Sequence, residues 1–330
     1  MRMGKIDIEA KSYLSDIHRF ADIFNFWMFH GENVIHASDL KEMDTTEIAL
    51  PYGNAAKTPI QKFRDVLKLY TAMRDNHAIY LVLGLEAEAK VSYAMVVRNM
   101  LYDAMNYAQQ VAKAAASHAS DPEARPTSDE FLSGFWKDDR LMPVITLVIN
   151  ISGKPWDGAR TLHDMLALED RRILPYIQDY RLNLLSPDQI ADQDFDKFHT
   201  GFGAAMQFIK HQHDESMDWI KGQSRFEQVD RPTADFIQTA TGTRIPFDDN
   251  AEVINMCKAW ENSMIQARND GISQGISQGI GQGKIDAVLN VAKKFSLSIE
   301  EAMDAVGIQK SEWDTYTPMI QHRMNANTPS

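Results

Sequence analysis

The sequence is poor in cysteine, in long apolar runs and in positive charge. Its only cysteine, Cys257, cannot form an intramolecular disulfide, which excludes disulfide-stapled folds and favours a reducing compartment. The longest apolar runs, such as Ala78–Leu85, are too short to span a bilayer, and the N-terminal residues lack the apolar segment of a signal peptide. We therefore expect a cytoplasmic protein with no membrane partner.

The charge balance is acidic. The 330 residues include 34 Lys and Arg against 46 Asp and Glu, giving a formal net charge of −12. This excess argues against a protein whose whole surface binds nucleic acid, because the phosphate backbone attracts positive charge. Hydrophobic residues make up 44% and charged residues 24%, which excludes collagen-like and largely disordered chains and predicts a sizeable core.

Hydrophobic periodicity predicts an alternation of helices and strands in the first half. Apolar residues at helical spacing predict a helix over Ser12–His30. Two segments rich in β-formers, Phe63–Met73 and Ala78–Ala87, flank turn residues and predict a hairpin. A long helix is predicted from Tyr93 to about Ala116, before a buried strand at Pro143–Ile151. This order predicts a mixed α/β sheet with a crossover helix.

The second half reads as mainly helical and contains one internal repeat. Helices are predicted at Thr161–Glu169, Ile173–Tyr180, Pro187–Ile209, Asp214–Lys221 and Asp249–Asn269. The repeat, GISQ GISQ GIGQ GKID at 271–286, places a glycine at every fourth position. Glycine weakens helices, which favours a flexible linker. The four-residue period also aligns the glycines on one helix face, so our preferred hypothesis is a helix contact that mediates self-association.

Acidic residues gather where the predicted hairpin strands end. Alternation along the second strand places Glu86, Glu88 and Lys90 on one face, and Asp65 opens the partner strand. Neighbouring carboxylates repel each other unless a cation lies between them, and Mg²⁺ prefers such oxygen ligands. A bound Mg²⁺ can activate water and stabilise charge on a phosphoryl oxygen. The spacing is also compatible with a solvated strand end.

The order helix, Asp, then Glu across a hairpin, then helix resembles the PD-(D/E)XK nuclease core. More specifically, the chain resembles the recombination-promoting nuclease family, whose members are also called transposase-like. The resemblance covers most of residues 10–170, and the glycine repeat is similar to the family's C-terminal tail. It is carried by RDVLK at 64–68, LGLE at 83–86, YAMVVRNMLYD at 93–103 and PVITLVINISGKPWDGARTLHDML at 143–166.

The resemblance implies an α/β restriction-endonuclease-like core, a mixed sheet flanked by helices, over residues 10–170. A helical extension over 171–269 and a glycine-repeat helix with a small helical cap over 270–330 would follow. The implied activity is metal-dependent DNA endonucleolysis, with Asp65 and Glu86 as ligands of Mg²⁺ or Mn²⁺. The competing hypothesis is a catalytically degenerate nuclease fold that serves as a DNA- or protein-binding or oligomerisation module.

The sequence departs from the family at one catalytic position. Glu88 stands where the family usually has Gln or Lys, and Lys90 is our candidate for the missing positive charge. On the following helix, Arg98 and Tyr102 lie one turn apart and either contact a phosphate or form an ordinary surface or buried polar pair. Asp75 is a rival metal ligand, although its position in a predicted turn favours a backbone role.

A locally basic segment offers a DNA-contacting face on this acidic protein. The charges over 57–74 are one aspartate, Asp65, and five cations: Lys57, Lys62, Arg64, Lys68 and Arg74. If DNA is the substrate, these cations are expected to face its phosphates.

Overall fold

The computed structural model describes residues 5–43, 46–49, 60–63, 65–74, 77–121, 123, 125–214, 216–248 and 250–326. Contacts divide the chain into two compact units, Met1–Ala259 and Trp260–Ser330. The division into 10–170, 171–269 and 270–330 stays a prediction.

The described residues form nine strands, and five of them make up the central sheet. They are β1 (Leu40–Glu42), β2 (Thr46–Ala49), β3 (Ile60–Phe63), β4 (Val66–Arg74), β5 (His77–Glu88), β6 (Val144–Asn150), β7 (Asn183–Leu185), β8 (Val229–Asp230) and β9 (Val253–Ile254). The central sheet has the order β1-β4-β5-β6-β7. Its first three strands are antiparallel and its last three parallel, so the predicted mixed α/β sheet is confirmed. Strands β2 and β3 pair separately, as do β8 and β9.

Helices complete both units. They are α1 (Lys5–Ser15), α2 (Ile17–Phe29), α3 (Met95–Ser120), α4 (Ser128–Ser133), α5 (Phe202–His211), α6 (Arg231–Thr241), α7 (Met256–Phe295), α8 (Ile299–Ala305) and α9 (Trp313–Ala326). The helix predicted over Ser12–His30 is broken at Asp16, whose carboxylate accepts hydrogen bonds from the backbone N–H groups of His18 and Arg19. Such a cap starts a new helix, which explains why α1 and α2 are separate.

The two faces of the sheet carry different layers. On one face, Thr146 of β6 donates a 2.7 Å hydrogen bond to Asp103 of α3, and an apolar cluster around Val148 packs against the start of this helix. On the other face, the ammonium of Lys68 lies 5.4 Å from the ring centroid of Phe20 in α2. Helix α3 therefore covers the face on which the even-numbered residues of β5 lie.

The segment 161–221 differs from the four helices predicted for it. It contains short 3₁₀ turns, the edge strand β7 and one α-helix, α5. Aspartate side chains there bind nearby backbone groups, as Asp164 does with the N–H groups of Arg160 and Thr161. These local bonds compete with helical hydrogen bonding, and Pro175 and Pro187 remove two further backbone donors.

The second unit contains the glycine repeat and a small helical core. The repeat lies inside the continuous helix α7, so the flexible-linker interpretation is wrong. Helix α8 begins with a capping box between Ser298 and Glu301. The helical C-terminal region is thereby confirmed. Its buried core consists of Ile285, Val288, Ala302, Met303, Ile308 and Ile320.

A search of the helices in the described ranges finds none that is long and apolar enough to cross a membrane.

Candidate active site

Asp65 and Glu86 lie opposite each other on adjacent strands. The pairing of Val66 with Leu85 places Asp65, immediately before β4, across from Glu86. The Asp65 backbone N–H donates to Glu86 Oε1 over 3.3 Å, and the Ala87 N–H donates to Asp65 Oδ2 over 2.9 Å. The structure thus brings together the two residues proposed as metal ligands.

Arg98 joins this pair from helix α3. Its Nη2 donates to Glu86 Oε2 over 3.4 Å and also to Glu88 Oε1, one strand period further along β5. The Glu86 side chain is 5% exposed, that of Glu88 13% and that of Arg98 35%. The sequence left open whether Arg98 contacts a phosphate or forms an ordinary polar pair, and in this structure its guanidinium bridges two carboxylates.

The electrostatics of the site favour a further cation. Glu86 and Glu88 share a single guanidinium and Asp65 adjoins Glu86, so negative charge is in excess among these four residues. Burial is the main influence on Asp65 and raises its pKa above the ordinary value, since the charged form loses hydration. The Ala87 N–H opposes this rise in pKa, and the charges of more distant basic groups do so to a smaller extent. A cation beside Asp65 would relieve the cost of burying its charge.

The donor set fits a hydrated magnesium ion held by two carboxylates. Mg²⁺ commonly retains several waters and takes only one or two protein carboxylates, which Asp65 and Glu86 can supply. Among the residues that the structure describes, no group of three or more His, Cys, Asp and Glu side chains is placed to hold a metal by itself. Glu88 is engaged by Arg98, so water would have to complete the coordination.

Comparison with family models, with curated proteins and with solved structures gives no match to this chain. A function is therefore inferred from the side chains at the site and from the sequence stretches that resemble the nuclease family. The most informative of these side chains are the buried carboxylates, because burying charge is costly and buried ionisable groups cluster at functional sites.

Lys90 lies beyond the end of strand β5. Strand β5 ends at Glu88, so the alternation that predicted Lys90 on the face of Glu86 and Glu88 does not extend to it. Lys90 occupies a bend with an exposed side chain. Its assignment as the missing positive charge stays a prediction, while Arg98 is the cation in contact with both glutamates.

Tyr102 lies inside the protein. Its side chain is 5% exposed, on the face of α3 that packs towards the sheet. This burial agrees with the alternative interpretation of a buried polar contact. The neighbouring Asp103 anchors α3 by accepting hydrogen bonds from Thr146 and Tyr180, at 2.7 Å and 2.6 Å. Those bonds hold Arg98, one turn earlier, above β5.

Among the described side chains of the basic segment 57–74, no cation is exposed to solvent. Lys68 is 1% exposed, and its Nζ lies 3.2 Å from Glu42 Oε1, so it does not contribute to a DNA-contacting face. A long apolar stem lets this lysine enter the core while its ammonium reaches a carboxylate. The rival ligand Asp75 lies outside the described residues. So do Lys57 and Arg64 and the side chains of Lys62 and Arg74.

Sequence reasoning missed Asn150, which pairs with Glu88 across β5 and β6. Its buried amide donates to the Lys154 carbonyl over 2.7 Å and to Ser186 Oγ over 2.9 Å. Its oxygen accepts from the Ser152 hydroxyl over 2.6 Å. Asn150 thus shapes the loop beside the site. The signal was present, since a lone polar residue interrupts the apolar end of the predicted strand.

Proposed function

We propose that this chain is a cytoplasmic, Mg²⁺-dependent DNA endonuclease with a PD-(D/E)XK-type core. The observation that carries the proposal is the pair of half-buried Asp65 and buried Glu86, in which the Asp65 backbone N–H donates to Glu86 Oε1 over 3.3 Å. The order of helix, antiparallel strand pair, long helix and parallel strand also agrees with what the family resemblance implies. That resemblance links the activity to recombination or to mobile DNA.

The chemistry follows from the carboxylates. A divalent ion, when bound, supplies a Lewis acid and lowers the pKa of a coordinated water. Asp65 and Glu86 would hold this ion through their oxygens, and their burial limits competition from bulk water. The Ala87 N–H fixes the rotamer of Asp65 through its 2.9 Å bond to Oδ2, so one ligand oxygen is already oriented in this structure.

Cleavage of supercoiled plasmid in Mg²⁺ tests the proposal. We expect Asp65→Asn and Glu86→Gln each to lower the cleavage rate at least about 100-fold, because each removes an anionic ligand while keeping the size of the side chain. Asp170→Asn is the matched control, since Asp170 is an exposed carboxylate paired with Arg172 in the same unit. Chelation should abolish cleavage by the wild type.

Equal cleavage rates in the wild type, Asp65→Asn, Glu86→Gln and the control would refute the nuclease assignment. Absence of cleavage in all of them, at any Mg²⁺ or Mn²⁺ concentration, would favour the second candidate function, a degenerate binding module. One observation favours that candidate: the Arg98 bridge already neutralises part of the carboxylate charge without a metal.

We also infer that the chain self-associates through helix α7. Its side chains at Ile272, Ile276 and Ile280 are 50%, 58% and 58% exposed, beside a row of glycines. Apart from the chain neighbours and the nearby backbone of α7, no described atom would lie within 4 Å of a methyl group at Gly271, Gly275 or Gly279. No charged residue occurs from 271 to 283, so two copies of this segment would not repel each other despite the acidic chain.

A further inference from the structure

The carboxylate at position 88 is joined to a cation from another element. Glu88 occupies the strand position where the nuclease family usually carries Gln or Lys, and it is 13% exposed. Arg98 reaches it from the first turns of α3 and contacts it with Nη2. A positive charge is thus present beside Glu86, although it comes from the helix and not from the strand.

Arg98 retains hydrogen-bonding capacity in this arrangement. Both of its contacts with the glutamates use Nη2. Its Nε is buried and has no hydrogen-bond partner within the described ranges. A guanidinium presents five N–H donors in a planar fork and stays protonated at any physiological pH. With 35% of its side chain exposed, Arg98 can meet an acceptor that enters from solvent.

Other cations near the site are less well placed. Lys68 is buried on the opposite face of β4 and bonds Glu42. Lys90 is exposed beyond the end of β5. The charge of Lys11 lowers the pKa of Asp65, and does so more than the charge of Arg98. Arg98 is therefore the described cation that is bonded directly to the candidate ligand Glu86.

We propose that Glu88 positions Arg98 as the positive group of the reaction, and that Arg98 shares Glu86 with the divalent ion. This inference rests on the proposed nuclease function. Arg98 and a bound ion would both draw on the negative charge of Glu86, so each would weaken the other's interaction with it. Glu88 would keep the guanidinium in place when Glu86 holds an ion. The donors of Arg98 then bind a phosphate oxygen and stabilise the negative charge that develops on it.

The sharing of Glu86 predicts opposite effects of two substitutions on metal affinity. Arg98→Gln removes the competing cation and should tighten Mn²⁺ binding at least about tenfold, as expected for loss of a unit charge a few ångströms away. Glu88→Gln removes a nearby negative charge and leaves Glu86 as the main partner of Arg98, so it should weaken Mn²⁺ binding by a similar factor. Calorimetric titration of the full chain with MnCl₂ alone measures both.

Two further variants keep this test decisive. Arg98→Lys preserves the charge without the planar fork, so its Mn²⁺ affinity should stay within about threefold of the wild type while cleavage is only partly retained. Arg172→Gln makes the same change in net charge at an exposed pair and should leave Mn²⁺ affinity unchanged. Thermal unfolding of each variant reports whether the chain is folded.

Cleavage completes the experiment. Arg98→Gln should bind Mn²⁺ more tightly and yet cleave plasmid about 100-fold more slowly than the wild type. If the wild type binds Mn²⁺ and cleaves, while Arg98→Gln changes neither property, the role of Arg98 is refuted and the nuclease function stands. If Arg98→Gln and Glu88→Gln shift affinity in the same direction, the sharing of Glu86 is refuted. A wild type that neither binds Mn²⁺ nor cleaves overturns both proposals.

Discussion

The carboxylate site and helix α7 depart in opposite ways from the usual distribution of side chains. At the site, acidic groups are buried: the Glu86 side chain is 5% exposed and that of Glu88 13%. Along α7, isoleucines are exposed, with Ile276 and Ile280 at 58%. Buried charge is costly unless it is paired, and exposed apolar surface is costly unless it is covered. The first region is the one for which we propose chemistry, and the second is the one for which we propose assembly.

The two regions also differ in how they are stabilised. The carboxylate site depends on a few directed contacts between β4, β5 and α3, so one substitution should have a large effect. Helix α7 in the repeat has local helical bonds and few described neighbours, so single changes there should matter less to folding. Substitutions that remove one kind of contact at a time test whether the two regions differ in this way.

The largest expected effect on stability comes from Arg98→Met. It leaves Glu86 and Glu88 without their guanidinium, and breaking a buried pair by removing one partner is strongly destabilising. We expect the free energy of unfolding in metal-free buffer at pH 7 to fall by about 2 kcal/mol, allowing for the partial exposure of Arg98. Urea denaturation measures it.

Arg172→Met is the control for this loss, because Arg172 also pairs with a carboxylate but is 90% exposed. Its removal should leave the free energy of unfolding nearly unchanged, because solvent screens an exposed ion pair. Equal losses in the two variants would mean that the site is as solvated as an ordinary surface pair, and the contrast with α7 would disappear.

The juxtaposition of Asp65 and Glu86 was predictable, since it needs only strand alternation and a hairpin between close segments. The pairing of Arg98 with Glu86 and Glu88 was not predictable. The orientation of α3 depends on Asp103, which bonds Thr146 and Tyr180 at separations of 43 and 77 residues. No periodic pattern encodes such contacts. Strand β7 escaped prediction for a similar reason, because its three residues gain their structure from pairing with β6.

Helix α7 is expected to show a smaller effect, confined to assembly. Replacing Ile272, Ile276 and Ile280 by Ser removes apolar surface that is about half exposed, and should raise the dimer dissociation constant at least about tenfold. Light scattering coupled to size-exclusion chromatography measures the mass at several concentrations. An unchanged oligomeric mass, or a wild type that is monomeric throughout, would refute self-association through this face.

Glycine variants test whether the glycines of α7 take part in the contact. In the isolated chain, Gly275→Ala and Gly279→Ala should each stabilise the helix by about 1 kcal/mol, because both sites are open and Ala is the better helix former. If a second helix approaches closely, the added methyl groups should also weaken association. If the two variants stabilise the helix and leave the dimer dissociation constant unchanged, the isoleucines, and not the glycines, form the contact.

The smallest effect is the pH dependence contributed by Asp65. Its pKa in the folded chain is raised above the ordinary aspartate value of about 3.9, mainly by burial, so the folded state binds the proton more readily than the unfolded state. Its contribution to stability is therefore present at low pH and is lost as pH rises from the unfolded pKa through the folded pKa. Asp65→Asn has no charge to bury, so it does not lose this stability as pH rises.

Urea denaturation in metal-free buffer measures the difference. The stability of Asp65→Asn relative to the wild type should be greater at pH 7 than at pH 3. A relative stability that does not change between these pH values would show that Asp65 carries its charge without cost, and that no cation is needed beside it.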